Sequence, residues 1–268
     1  MNWGSLPRKF HIQSSAVYLV RIGRAVSFAS RETRSNTGVG KELAQILYAK
    51  NAKVYIAARS EEKARETIKE IKKRSTKLAS VARFLANENR LHVLFNNAGV
   101  MNPEQGSKIV QATSSNLEST IPKGGVPMGN LDYHADKSSL YKYNVSKAGN
   151  YLHTVEYAKR HKPDGVVSIP LNPGNLDSDL TRTMAAVPRF FAKYLLLNPP
   201  IYGANTELFA GLSSQIALEK TSAWVVPWGR FIEIRADLLA ATKSKTEGGS
   251  GVGQKFWEWT EDQVKSFL

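Results

Sequence analysis

The sequence predicts an α/β protein, a three-layer sandwich in which a mainly parallel sheet carries helices on both faces. Three observations point there. Short β-rich runs alternate with helical stretches over most of the chain, the pattern of repeated βαβ units. Hydrophobic residues make up 42% and charged residues 22%, enough for one sizeable core. A length of 268 residues suits one domain.

A helix begins near Gly38 and runs through GKELAQILYAKN, with Leu43, Ile46 and Leu47 at the spacing of a buried stripe. KVYIAAR follows as a strand. EEKARETIKEIKKR then reads as an amphipathic helix with Ala64, Ile68 and Ile71 inward, and KLASVARFLANEN as a second, so helix follows helix with no strand between them. HVLFNN and KIVQATSS are the next strands. Residues 116–139 read as polar loop, Lys142–His161 as a helix, and GVVSIPL as a strand ending in the turn NPGN. An apolar helical stretch at 180–198 stops at Pro199 and Pro200. YGANTELFAGLSS is a helix, SAWVVP a strand, Ile234–Thr242 a helix and KFWEWTEDQVKSFL an aromatic closing segment. In such sheets chemistry sits beyond the carboxyl ends of the strands.

Composition narrows the function classes. The absence of cysteine excludes disulfides and thiolate metal sites and suits a reducing compartment, so a cytoplasmic location is expected, with the mitochondrion as the alternative. The five histidines are scattered and show no metal-binding spacing, so no metal is expected. Net charge is +14, concentrated in residues 1–100, which hold 19 Lys/Arg against 7 Asp/Glu. No aromatic-interleaved basic stripe or recognition helix accompanies this charge, which favours solvated helix faces and a phosphorylated ligand over nucleic acid. Residues 1–31 contain five Arg/Lys and no acid, and read as an N-terminal extension, disordered or targeting, ahead of one domain over 32–268. No run reaches eighteen apolar residues, so no membrane span is expected.

Three groups of residues carry chemistry. NTGVG, Asn36 to Gly40, precedes a strong helix; closely spaced glycines there let backbone N–H groups reach a pyrophosphate. Arg59, after the second strand, suits a ribose 2'-phosphate and so NADP rather than NAD. Tyr143 and Lys147 are four residues apart on a helix and share a face, where an ammonium beside a phenol lowers its pKa towards that of a useful general acid. Ser114, or Ser115 or Thr113 if the register slips, adds a hydroxyl to hold a carbonyl oxygen.

The ordered set NTGVG, AAR, NNAG, TSS, YNVSK and NPG resembles the short-chain dehydrogenase/reductase family, and PKGG, NLDYH and NPGNL resemble its fungal NADP-dependent reductases. The resemblance covers about residues 33–268 and implies a Rossmann-like fold. It implies that Tyr143 is the catalytic acid/base, Lys147 its partner and a ribose ligand, and Ser114 the group that polarises substrate. Asn36, Gly38, Gly40, Arg59, Asn97, Ala98, Gly99, Pro173, Gly174 and Ser178 would join Tyr143 and Lys147 around the cofactor, with Asn96 supporting the sheet. Hydride would pass between NADP(H) and the carbon of a carbonyl or secondary alcohol. Residues 180–212, with Met184, Val187, Phe190, Phe191, Leu195 and Tyr202, favour an apolar compound, whereas Trp228, Trp257 and Trp259 read as core or interface aromatics. The oligomeric state stays open; members of the resembled family often pair through the helix that here runs from Tyr143 to His161, so the resemblance allows a homo-oligomer.

Departures from the pattern are concentrated in the first hundred residues. Arg34 stands where the fingerprint has its first glycine, which disfavours a tight phosphate turn. The edge strand and its adenine-fixing acid are not visible. Only the eight residues VMNPEQGS separate NNAG from KIVQATSS, too few for a parallel crossover with a covering helix. The catalytic asparagine of that helix has no counterpart, and the sheet face of Val93, Phe95 and Ile109 is expected to lie bare. These gaps support an alternative, a non-catalytic member of the fold acting as a binding or partner protein.

Overall fold

A computed structural model of the chain describes residues 17–20, 38–49, 54–56, 78–79, 93–96, 108–177 and 196–265. The strands are β1 Val17–Val20, β2 Val54–Ile56, β3 Leu78–Ala79, β4 Val93–Asn96, β5 Lys108–Ala112, β6 Val167–Leu171, β7 Val225–Val226 and β8 Arg230–Phe231. The α-helices are α1 Val39–Ala49, α2 Ser139–His161, α3 Pro200–Leu212, α4 Ala236–Thr242 and α5 Val252–Val264.

The strands form one sheet in the order β3-β2-β1-β4-β5-β6-β7-β8. Pairing is parallel from β4 through β7 and between β2 and β3. β1 is antiparallel to both β2 and β4, and β8 to β7. The architecture is the expected Rossmann-like one, with a mainly parallel sheet that turns antiparallel at β1 and β8.

Local sequence explains the helix around which the site is built. Ser138 caps α2, its Oγ accepting from the Tyr141 N–H at 3.3 Å, so the helix starts at Ser139 rather than at Lys142. Lys159, Arg160 and His161 in the last turn complement its dipole. Ala148 and Leu152, both fully buried, pack from this helix with Leu238 and Ala241 of α4, while Asn150 and Thr154 on its other side bond to β5 and β6.

Several expectations need correction. Val17–Val20, inside the stretch read as an extension, is a central strand flanked by β2 and β4. An edge strand does exist: Leu78–Ala79, expected in a helix, pairs with β2. Two apolar residues suffice because an edge strand has one pairing partner. Ile109, in register with Leu94, lies on the opposite face and is 5% exposed, while the face of Val93 and Phe95 is covered, at 1% and 0%. α3 lies against it so closely that a Cβ on Gly211 would stand 2.4 Å from Phe95 Cζ and 3.1 Å from Val93 Cγ1. Glycine thus lets a later helix reach the strands that the short connection leaves uncovered. The helical expectations at 61–74 and 180–195, and the connection 97–107, lie outside the described residues.

Candidate active site

The site begins where β5 ends. Thr113 extends the ladder by one bond, its N–H donating to Leu171 O at 2.8 Å, and Ser114 then turns the chain into a 3₁₀ turn, Ser115–Glu118. Ser114 is 8% exposed and its Oγ accepts from the Asn116 N–H at 3.2 Å, which fixes the side chain.

Two asparagines seat α2 against this strand end. Asn144, buried beside Tyr143, accepts from Asn116 Nδ2 at 2.7 Å and donates to Thr120 O at 3.1 Å. Asn150 Nδ2 donates to Ala112 O at 3.2 Å. Held this way, Tyr143 sits beside Ser114, close enough for the serine side chain to act on the phenol. Lys147 lies on the same face, with Nζ 5.8 Å from the Tyr143 ring centroid.

The electrostatics differ from the expectation of a lowered phenol. Burial raises the Tyr143 pKa above its ordinary value, and the Ser114 hydrogen bond opposes this only in part. Burial pushes Lys147 down to about 8, against the opposing charge of Glu207, a residue 1% exposed on α3. Among groups of this kind desolvation penalises whichever form is charged, so the phenol holds its proton at neutral pH.

The loop after β6 faces the same space. Gly174, at φ 98°, donates its N–H to Asn172 Oδ1 at 2.8 Å, and Asn172 Nδ2 donates to Glu118 Oε1 at 3.0 Å. Ser115 Oγ donates to Asn175 Oδ1 at 2.7 Å, tying this turn to the one after β5. The start of α1 comes to the same place: a Cβ on Gly203 would meet Leu176 Cδ1 at 2.4 Å, Val39 Cγ2 at 2.8 Å and Pro173 O at 3.2 Å. Gly38, at φ 80°, leads into that helix, and Gly40 is buried within it. Ser114, Tyr143, Lys147, Gly38, Gly40, Pro173 and Gly174 therefore gather at one end of the sheet. Asn36, Arg59, Asn97, Ala98, Gly99 and Ser178 lie outside the described residues, as does Arg34.

A cavity of about 450 Å³ opens beside these turns, lined among others by Ser115, Glu118, Leu176, Tyr202, Trp228 and Arg230. Sequence reading missed Glu118, Asn144, Glu207 and Arg230. Glu118 and Glu207 had no signal beyond their residue type. Of the two readings of Trp228, core or interface, its 74% exposure excludes the core.

A family model described as short chain dehydrogenase matches residues 33–122. A short-chain dehydrogenase/reductase of Phomopsis amygdali is 43% identical over 297 positions, covering 88% of this chain and 89% of that protein. The short-chain dehydrogenase/reductase bet4 of Neocamarosporium betae is 37% identical, covering 88% of this chain and 86% of that one. Both alignments run longer than the 268 residues of this chain, so the relatives carry stretches that it lacks. A solved short-chain dehydrogenase/reductase mutant of Serratia marcescens shares the fold at TM-score 0.56 and 16% identity, covering 76% of this chain and 96% of that one. With the nearly full-length likeness to the Phomopsis protein added to the fold and the gathered residues, the chain belongs to the short-chain dehydrogenase/reductase family.

Proposed function

We propose that the protein is an NADP-dependent oxidoreductase that interconverts an apolar carbonyl compound and its secondary alcohol. The observation that carries this is the meeting of Ser114, Tyr143 and Lys147 at the end of β5, beside the Pro173–Leu176 turn and the start of α1. A dinucleotide suits the residues present. The first N–H groups of α1 have no helical acceptor, and their positive end lies against the turn after β6, a natural seat for a pyrophosphate. Arg59, by its place in the sequence, is the residue for the 2'-phosphate.

When bound, the nicotinamide supplies or accepts the hydride. Tyr143, kept protonated by burial, donates its proton to the carbonyl oxygen on reduction and takes it back on oxidation. Ser114 hydrogen-bonds that oxygen and orients it towards the phenol. Lys147, charged below a pH of about 8, stabilises the tyrosinate left behind and holds the nicotinamide ribose. The domain over 32–268, with Val17–Val20 added to its sheet, works without nucleic acid or membrane and pairs with copies of itself, and the cytoplasm is its expected place. Among the described residues no helix is long and apolar enough to cross a membrane.

Titrating the protein with NADPH and following nucleotide fluorescence tests binding, with saturation expected below millimolar. Tyr143→Phe should then cost about 10²–10⁴-fold in turnover of a ketone panel while leaving that binding in place. A second reading, a non-catalytic partner protein, is favoured by Arg34 and by the stretches present in relatives and lacking here. Saturable NADPH binding with no turnover of any ketone or aldehyde would establish it.

A further inference from the structure

Between β7 and β8 the chain makes a tight hairpin, with Val226 opposite Arg230 and Val225 opposite Phe231. Its tip is Pro227-Trp228-Gly229. Trp228 and Gly229 both have positive φ, 66° and 65°. Such a backbone is rare for a bulky side chain, and outliers of this kind gather at functional sites. The base of the hairpin is anchored on α3: a Cβ on Gly229 would touch the Phe209 ring at 3.0 Å, and Phe209 and Phe231 meet edge to face at 6.0 Å. The tip is thus fixed with the Trp228 ring 74% exposed at the cavity wall.

Arg230 supplies the charge. Its Nε donates to Pro227 O at 3.1 Å, and its Cζ sits 5.5 Å from the Trp228 ring centroid. This holds the guanidinium in place while its two terminal nitrogens make no ion pair with a described residue. Among the described residues the other charged group on the cavity wall is Glu118, whose Oε1 already accepts from Asn172 Nδ2 at 3.0 Å and Trp224 Nε1 at 3.3 Å. The anion is engaged within the protein and the cation is left for a ligand. Aromatic face and guanidinium side by side match a planar apolar body that bears an acidic oxygen.

We infer that the Trp228–Arg230 hairpin is the specificity element of this enzyme and selects carbonyl substrates carrying a carboxylate. This rests on the reading of the site as a carbonyl-reducing centre and narrows its substrate from an apolar compound to one whose apolar body carries a single carboxylate. Arg230 binds the carboxylate through its terminal nitrogens, Trp228 stacks on the apolar body, and the carbonyl reaches past Ser115 towards Ser114 and Tyr143.

The test compares 4-acetylbenzoate with its methyl ester, by calorimetry for binding and by NADPH oxidation for turnover. The wild-type protein should bind the acid about tenfold or more tighter than the ester. Arg230→Gln should bring that ratio close to one through KM with little change in kcat, Arg230→Lys should keep part of it, and Trp228→Ala should weaken acid and ester alike. A ratio near one in the wild type, or a ratio that survives Arg230→Gln, overturns the inference. Tyr143→Phe separates the two readings: loss of turnover with the acid preference intact supports both, whereas turnover that persists in Tyr143→Phe removes the catalytic assignment and leaves the preference to stand on its binding data.

Discussion

The two halves of the sheet are built differently. From β4 to β6 the strands pair in parallel in continuous register, up to five residue pairs between β5 and β6, and the helix carrying Tyr143 is fastened by Asn150 to the end of β5 and by the buried Asn144 to the turn that follows it. From β3 to β1 the strands are two to four residues long, and the central one runs backwards. Val20, the last residue of β1, pairs with Val93, the first of β4, so β1 ends at the edge of the sheet away from the site. The start of α1 is at the opposite edge, beside Pro173. β1 therefore ends and α1 begins at opposite edges, where a parallel β1 would deliver the chain to α1 in a short turn. The half that carries Tyr143 is conventional, and the half that leads to α1 has its first strand reversed.

The comparison breaks most visibly at Phe95, which joins the halves. Phe95→Ala removes the fully buried ring against which α3 packs and should cost about 3–5 kcal/mol, read as a fall in denaturation midpoint. A smaller effect is confined to the well-built half. His153, packed at 4.8 Å against the Phe256 ring between α2 and α5, has its pKa pushed down to about 4 by burial. The unfolded chain binds the proton near pH 6.5 and the folded one only near 4, so stability falls as pH drops through that window, by about 3 kcal/mol in full. His153→Leu should remove this acid limb from the pH dependence of unfolding.

Leu19→Pro tests the other half. It deletes an N–H from a strand paired on both sides and should cost roughly 1–3 kcal/mol. Amide exchange should speed up in β2 and β4, and NADPH binding should weaken, with α2 and α5 nearly unaffected. The smallest effect is a shift on the pH axis. With Lys147 at about 8, kcat/KM should hold below that pH and fall as pH rises through it, because the ammonium is the working form. Glu207→Gln removes the charge that favours the ammonium, so this limb should move to lower pH by about half a unit to one unit, while Lys147→Arg should carry it out of range.

What could be read from sequence follows the same division. Ser114, Tyr143 and Lys147 lie in or beside regular elements whose period is local, so strand alternation and helical spacing were enough to bring them together. β1 was missed because VYLV is short and sits in a basic stretch, and its strand state comes from partners far along the chain. Leu78–Ala79 was read as helix because its apolar spacing fits both periods. The bare sheet face was expected because only neighbouring segments were considered as cover, whereas the contact is made by Gly211. The reading of Trp228 stays divided between core and interface for a related reason: nothing local to an aromatic residue tells an exposed hairpin tip from a core position.

That α3 covers β4 has a consequence for how the polypeptide is made. While the ribosome is still adding residues before 200, Val93 and Phe95 have been synthesised but the helix that shields them has not. Nascent chains of this protein pass through a stage with a sticky, unfinished β-surface, where a chaperone would bind and where premature termination would yield aggregates.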